Sequence, residues 1–297
     1  MTLSAADQFP RYSLAQWHRS RPRPPRIVVH VKRPRDKKLM FECNICGART
    51  DLERIEFGRE SGQCRRCGST VRWRALMRTL SVALFGVELP LMAFPYKPDV
   101  CGIGLSDWGG YAATLQLHLN YRNTFFHDEP FLDICSPPAE LSEAHDFLLS
   151  SDVFEHVLPP LERALLGAHQ LLKPGGVLVM TMPYRPGDHD VEHFPDLAEF
   201  EIIDFHGEPL LINRTSNGHW QVFDDIVFHG GPGATLEMRN ISREGILNRL
   251  RHVGFSDVFE DSVERPDWGI IWLHTHSMPL VARREDRSAA EYGPKAL

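Results

Sequence analysis

No run of about eighteen apolar residues occurs anywhere in the 297-residue chain, which excludes an ordinary membrane-spanning helix. The amino terminus also has no apolar core of the signal-peptide kind. It reads "RPRPPR" in that region, so the expectation is a cytoplasmic protein. Cysteine is sparse: six residues, which in a reducing compartment point to metal binding or reactivity before disulfides. There is no internal repeat and no aromatic-rich strand motif of the common RNA readers. An apolar fraction of 42% and a charged fraction of 24% exclude a disordered or fibrous chain. The length suits one main domain with an appendage.

The net charge of −6 hides an asymmetry. Residues 1–78 hold eighteen Lys/Arg against seven Asp/Glu, whereas the rest hold fifteen against thirty-two. A basic head on an acidic body suggests an anionic partner for the head, RNA through residues 1–78 being one candidate, or else a solvated tail. Within that head, residues 1–38 are rich in proline and like charges. They read as a disordered arm with one short strand at 27–31.

Four of the cysteines are paired. Cys43, Cys46, Cys64 and Cys67 form C-x2-C-x17-C-x2-C, each pair followed by glycine. Two thiolates three residues apart grip one ion from a tight turn, and four close a tetrahedral Zn²⁺ site with no open position. The expectation is a zinc ribbon over 39–70 whose metal folds the module and catalyses nothing. A linking helix at 71–88 follows, ending near Gly86. By contrast, "HDVEH" at 189–193 imitates a zinc-protease pattern, but Pro186, Gly187 and Pro195 break the helix that chemistry requires.

From about residue 90 to 276 strands alternate with helices, which indicates an α/β domain with a parallel, doubly wound, Rossmann-like sheet. Strands are expected at 100–103, "NTFFH", "FLDI", 145–154, "GVLVMTMP", "FSDVFE" and "GIIWLHTH". Helices are expected at 109–119, 159–172 and, capped by Ser242, 242–254. An insertion at about 195–236 contains "SNG" between two β-rich runs and reads as a β-hairpin lid. Residues 277–297 read as a tail.

The stretch 145–184, with "SSDVFEHV", "LLKPGG" and "VLVMTMP" in that order, resembles class I S-adenosylmethionine-dependent methyltransferases. A narrower group carrying an N-terminal zinc ribbon is similar over 40–275, through "NTFFHDEPFLDI" and "VFDDIVFHGGPGATLEMR". The resemblance implies S-adenosylmethionine as cofactor. It matches Gly102 and Gly104 to the first two glycines of the cofactor loop and puts Ser106 in place of the third. Asp99 and Asp107 flank that gap as partial substitutes. It also implies Glu129, rather than Asp128, on the ribose, Asp133 at the end of a third strand on the adenine amino group, and Asp152 in the cofactor-side set.

In open α/β sheets ligands sit beyond the carboxyl ends of the strands, so the acceptor side falls to Asp152, Glu155, His156, Tyr184, His189, His193 and His229. His156, His193 and His229 are the candidate catalytic residues, since imidazole titrates near neutrality. Three functions remain open on this reading. They are methylation of a saccharide or other small-molecule hydroxyl or amine, methylation of RNA, and a non-catalytic scaffold.

Overall fold

The computed structural model describes residues 38–226, 228–229, 235–273 and 277–285. The expected basic arm, its strand at 27–31, and the end of the expected tail lie outside these residues. Two short strands, β1 (Leu39–Glu42) and β2 (Arg49–Leu52), pair antiparallel and carry the cysteine segment. Helix α1 (Val71–Phe85) follows. Thr70 caps its start through the Trp73 N–H, and Gly86 ends it at φ 71°.

The main sheet is assembled from β3 (Lys97–Leu105), β4 (Leu119–Thr124), β5 (His145–Ser151) and β6 (Leu172–Thr181), all parallel. Helix α2 (Gly109–His118) joins β3 to β4, and α3 (Leu161–Leu171) joins β5 to β6. The insertion then builds β7 (Tyr184–Arg185), β8 (Val191–Glu192), β9 (Glu199–Phe205), β10 (Glu208–Arg214), β11 (Trp220–Phe223), β12 (Phe228–His229) and β13 (Thr235–Leu236). The chain returns through β14 (Arg239–Ser242), α4 (Arg243–His252), β15 (Phe255–Glu260) and β16 (Leu280–Arg284). The sheet order is β15-β16-β6-β5-β3-β4, with β16 antiparallel to both neighbours.

Period-two burial assigns the faces. Phe147, Leu149, Val177, Val179 and Val281 pack with α1 and α2 on one side. Leu148, Leu178, Met180, Leu280 and Ala282 pack with α3 and α4 on the other. Helices on both faces make the sheet doubly wound and Rossmann-like, as the sequence leads one to expect. The helix expected as a linker is itself one of these layers, and the ribbon residues Phe41, Cys43, Ile45 and Phe57 share its core. Among the described residues no helix is long and apolar enough to cross a membrane.

Two strand expectations are corrected. "FLDI" forms no strand: Pro130 and the Pro137-Pro138 pair leave room only for a single bridge from Phe125 to Phe131. "GIIWLHTH" is not the closing strand either. That place belongs to Leu280–Arg284, inside the expected tail. Its terminal Arg284 is buried because its guanidinium donates to the carbonyls of His169 (2.9 Å) and Leu172 (2.6 Å) and pairs with Glu143. In the insertion, the β9–β10–β11 meander turns through "SNG" between β10 and β11.

The glycines of β3 serve this packing. A Cβ at Gly102 would lie 2.0 Å from the Phe147 ring, and one at Gly104 would lie 1.8 Å from the Tyr121 hydroxyl. Gly102→Ala is expected to cost about 1–3 kcal/mol through overpacking. Urea unfolding should show that loss shrinking in a Phe147→Leu background. An equal loss in both backgrounds would remove the ring as its cause.

Candidate functional site

The cysteine segment forms two matching turns. Gly47 N–H donates to the Cys43 carbonyl and Gly68 N–H to the Cys64 carbonyl, both at 2.8 Å, with the glycines at φ 70° and 77°. These left-handed positions explain the glycine after each cysteine pair. The four sulfurs all lie within 4.8 Å of one another, with Cys43–Cys67 at 3.7 Å and Cys46–Cys64 at 3.6 Å. A tetrahedron with Zn–S bonds of about 2.3 Å has edges of about 3.8 Å, so the residues present fit a zinc ion. Four thiolates on a divalent ion leave excess negative charge. The buried Arg74 guanidinium supports it, through Ser69 Oγ, which lies 3.2 Å from Cys43 Sγ.

The carboxyl ends of β3 and β5 flank the point where the strand order reverses, the usual ligand position in such sheets. Ser106 and Asp152 follow these two strands directly, and both adopt left-handed backbones, at φ 52° and 56°. Such conformations are uncommon for residues other than glycine and gather at functional sites. Ser106 is exposed.

Asp152 is not open to solvent. Arg59, on the loop between the two cysteine pairs, holds it through two hydrogen bonds of 2.7 and 2.5 Å. Arg72 of α1 lies 3.3 Å away, and Thr181 at the end of β6 donates at 2.9 Å. Burial opposes the charge of Asp152, but Arg59 and Arg72 together hold its carboxyl below the ordinary range. Glu155 has the opposite fate. Burial first, and the Asp152 charge second, push it well above the usual carboxylate range. Neither of its oxygens has a hydrogen-bond partner among the described residues.

Asp107 is buried. It accepts hydrogen bonds from the hydroxyls of Tyr111 (2.6 Å) and Tyr121 (2.5 Å) beneath the sheet edge, and burial raises it to about 6. The cofactor-side residues lie further out. Glu129 is exposed and accepts from the Phe131 N–H at 3.0 Å, with the exposed rings of Phe126 and Phe131 nearby. Asp133, half-buried, stands in a turn and accepts from the Cys135 N–H at 2.8 Å. It is therefore not at a strand end as expected. The space beside Gly102 and Gly104 is filled by Phe147, Tyr121 and Asp107. Ser106, Glu129 and the rings of Phe126 and Phe131 are all exposed, and are the residues present that a nucleoside cofactor could use.

Two of the three candidate histidines contact the end of the insertion. His156 Nδ1 lies 3.0 Å from the Leu236 carbonyl, which can only accept, so Nδ1 carries the proton of the neutral ring. His193 Nε2 meets Glu237 Oε1 at 3.1 Å. Arg239 fixes the same region, donating to the Phe154 carbonyl at 2.7 Å and to Glu192 at 2.8 Å. The backbone of His229 pairs with Thr235 in the β12–β13 ribbon. Tyr184 is buried with its hydroxyl on Glu260, and His189 is fully exposed before β8 rather than on a helix.

Sequence reasoning did not single out Arg59 and Arg72. Their only signal was a place in the basic head, since the contacts that matter span 93 and 79 residues.

No protein-family model matches the chain, and no curated protein does. Solved structures do. A sugar N-methyltransferase from Streptoalloteichus is 12% identical at a TM-score of 0.40, covering 74% of this chain and 89% of its own. An amino pentose methyltransferase from Micromonospora echinaspora is 15% identical at 0.39, covering 73% and 92%. A didemethyltoxoflavin N1-methyltransferase from Burkholderia thailandensis is 15% identical at 0.39, covering 71% and 79%.

Cys64→Ser is expected to abolish the single equivalent of bound zinc, measured by metal analysis of purified protein, and to lower the unfolding temperature. Asp107 gives a pH signature. Its folded-state pKa lies above the unfolded value, so the folded state binds more protons between pH about 4 and 6 and loses stability as pH rises through that window. The loss is about 2–3 kcal/mol for a two-unit shift. Asp107→Asn should therefore gain on wild type across the window when urea midpoints are compared. Parallel curves would contradict the assignment.

Proposed function

We propose that the protein is a methyltransferase that uses S-adenosylmethionine and acts on a saccharide or other small-molecule hydroxyl or amine. The observation that carries this reading is the division of the carboxyl edge. Ser106, Glu129 and Asp133 follow β3 and β4, whereas Asp152, Glu155 and His156 follow β5, and His193 follows β8 of the insertion. On this reading a nucleoside end and an acceptor end take opposite sides of the switch point, which suits an in-line displacement. The motifs of residues 145–184 supply independent support.

When bound, the cofactor supplies an electrophilic sulfonium methyl. Everything else falls to this chain. Glu129 accepts hydrogen bonds from ribose hydroxyls, and Asp133 accepts one from the base. His156, whose Nδ1 meets the Leu236 carbonyl and whose Nε2 lies 3.7 Å from Glu155 Oε1, is the group placed to take a proton from the acceptor. His193 and the β12–β13 ribbon, with His229, border the acceptor, and the β9–β11 meander extends the same insertion as a cover.

Calorimetric titration of S-adenosylmethionine and S-adenosylhomocysteine into zinc-loaded protein tests the reading. Micromolar binding is expected, weakened about tenfold or more in Asp133→Ala and Glu129→Ala through loss of a hydrogen bond to a charged group. Absence of binding to folded, zinc-loaded protein would overturn it and favour a non-catalytic scaffold.

A further inference from the structure

The two arginines that hold Asp152 also hold a second carboxylate. Glu60, next to Arg59 on the ribbon loop, receives Arg72 Nε at 2.7 Å and Nη2 at 2.8 Å, a two-pronged contact, and also Arg59 Nη1. The environments of the participants differ sharply. The Arg59 and Arg72 side chains are 18% and 9% exposed, whereas that of Glu60 is 53% exposed. Asp152 is therefore a buried partner and Glu60 a surface one.

Physical chemistry separates their roles. Two desolvated guanidiniums cannot be left with a single carboxylate without a large penalty, so a second anion is required. Glu155, the other carboxyl in the cluster, does not supply that charge, because burial favours its neutral form. A half-exposed glutamate does supply it, yet holds its place weakly, because exposed ion pairs contribute little. The location is the carboxyl end of β5, at Ser151 and Asp152 and on the side of the switch point that leads to Glu155 and His156.

We propose that Arg59 and Arg72 form a binding site for a carboxylate or phosphate carried by the methyl acceptor, with Glu60 as its built-in occupant when that ligand is absent. The site rests on the methyltransferase reading for the word acceptor, but its anion preference can be measured without any cofactor. It also gives the ribbon a part in recognition: the metal fixes the loop whose Arg59 and Glu60 shape the site. The fork geometry suits planar carboxylates and phosphates and discriminates against halide.

The test is thermal unfolding of the zinc-loaded full chain with Glu60→Gln, comparing acetate and inorganic phosphate with chloride at equal ionic strength. At an anion concentration about ten times its Kd, linkage predicts a rise in Tm of about 3–6 °C. The rise should be smaller in wild type, where Glu60 competes, and should recur in Glu60→Ala. It should vanish in Glu60→Gln/Arg72→Gln, or in Glu60→Gln/Arg72→Lys, which keeps the charge and loses the fork, should the first double variant not fold. No anion-specific rise in Glu60→Gln, or an equal rise in the folded double variant, would overturn the site. Saturating S-adenosylhomocysteine provides the last arm. A rise that persists supports an acceptor group, whereas a rise that disappears reassigns the site to the cofactor's own carboxylate. Should S-adenosylhomocysteine not bind at all, the methyltransferase reading fails while the anion result still stands on its own.

Discussion

A carboxylate buried at the end of a central strand must be given counter-charge, and the way Asp152 obtains it organises the rest of the molecule. Its charged partners come from neither adjacent strand; β6 supplies only the Thr181 hydroxyl and carbonyl. Arg59 reaches in from the loop between two pairs of cysteines, and Arg72 from the first turn of α1. Removing either guanidinium would leave a buried charge short of compensation, a loss far larger than that of a surface ion pair. The cysteine module is thus tied to the sheet at its carboxyl edge. The Arg59 backbone is held as well, its carbonyl accepting from the Arg72 N–H at 3.0 Å.

This tie explains why ribbon and sheet do not behave as separate cores. Val71, Ala75, Leu76 and Leu80 of α1 are buried against a cluster that runs from Phe41 to Val281. The cysteine turns and the tyrosines Tyr111 and Tyr121 belong to that same cluster. Within it Phe147 is stacked on Tyr121 at 5.9 Å and pressed against Gly102. An ion that orders the cysteine turns therefore acts on a core that the sheet shares.

What could be read from the sequence was whatever a few neighbouring residues determine. The cysteine spacing, the glycines behind each pair, the Ser242 cap and the apolar periodicity of the helices are all local, and all reappear in the structure. The failures were non-local. "FLDI" has the composition of a strand, but prolines on both sides deny it a ladder. "LVARR" has the look of a charged tail, yet its alternation buries Leu280 and Ala282 on one face and Val281 on the other, with Arg284 satisfied by carbonyls at the end of α3. The glycines at 102 and 104 carry a cofactor-loop signature, whereas their close neighbours are rings and a carboxylate of the chain itself. A glycine requirement shows only that something comes close, not what.

The charge asymmetry of the sequence takes on a different meaning once the partners are known. Four arginines of the basic head are turned inward: Arg59 to Asp152, Arg72 to Glu60 and Ser151, Arg74 to the Gly62 and Gly269 carbonyls, and Arg78 to Asp261. All four reach the acidic body, and Arg59, Arg72 and Arg78 meet carboxylates there, so part of the opposition between basic head and acidic body is neutralised within the fold. Arginines committed in this way are poor phosphate-backbone contacts, because engaging a polyanion would mean breaking buried pairs. Any nucleic acid grip has to come from the residues before the ribbon, or from exposed ribbon side chains such as Arg65 and Arg49. Among these four, Arg59 and Arg72 share the most exposed partner, Glu60. There the same electrostatics that fastens the ribbon to the sheet sets two guanidiniums against one surface carboxylate, which a small anion of the same shape can replace.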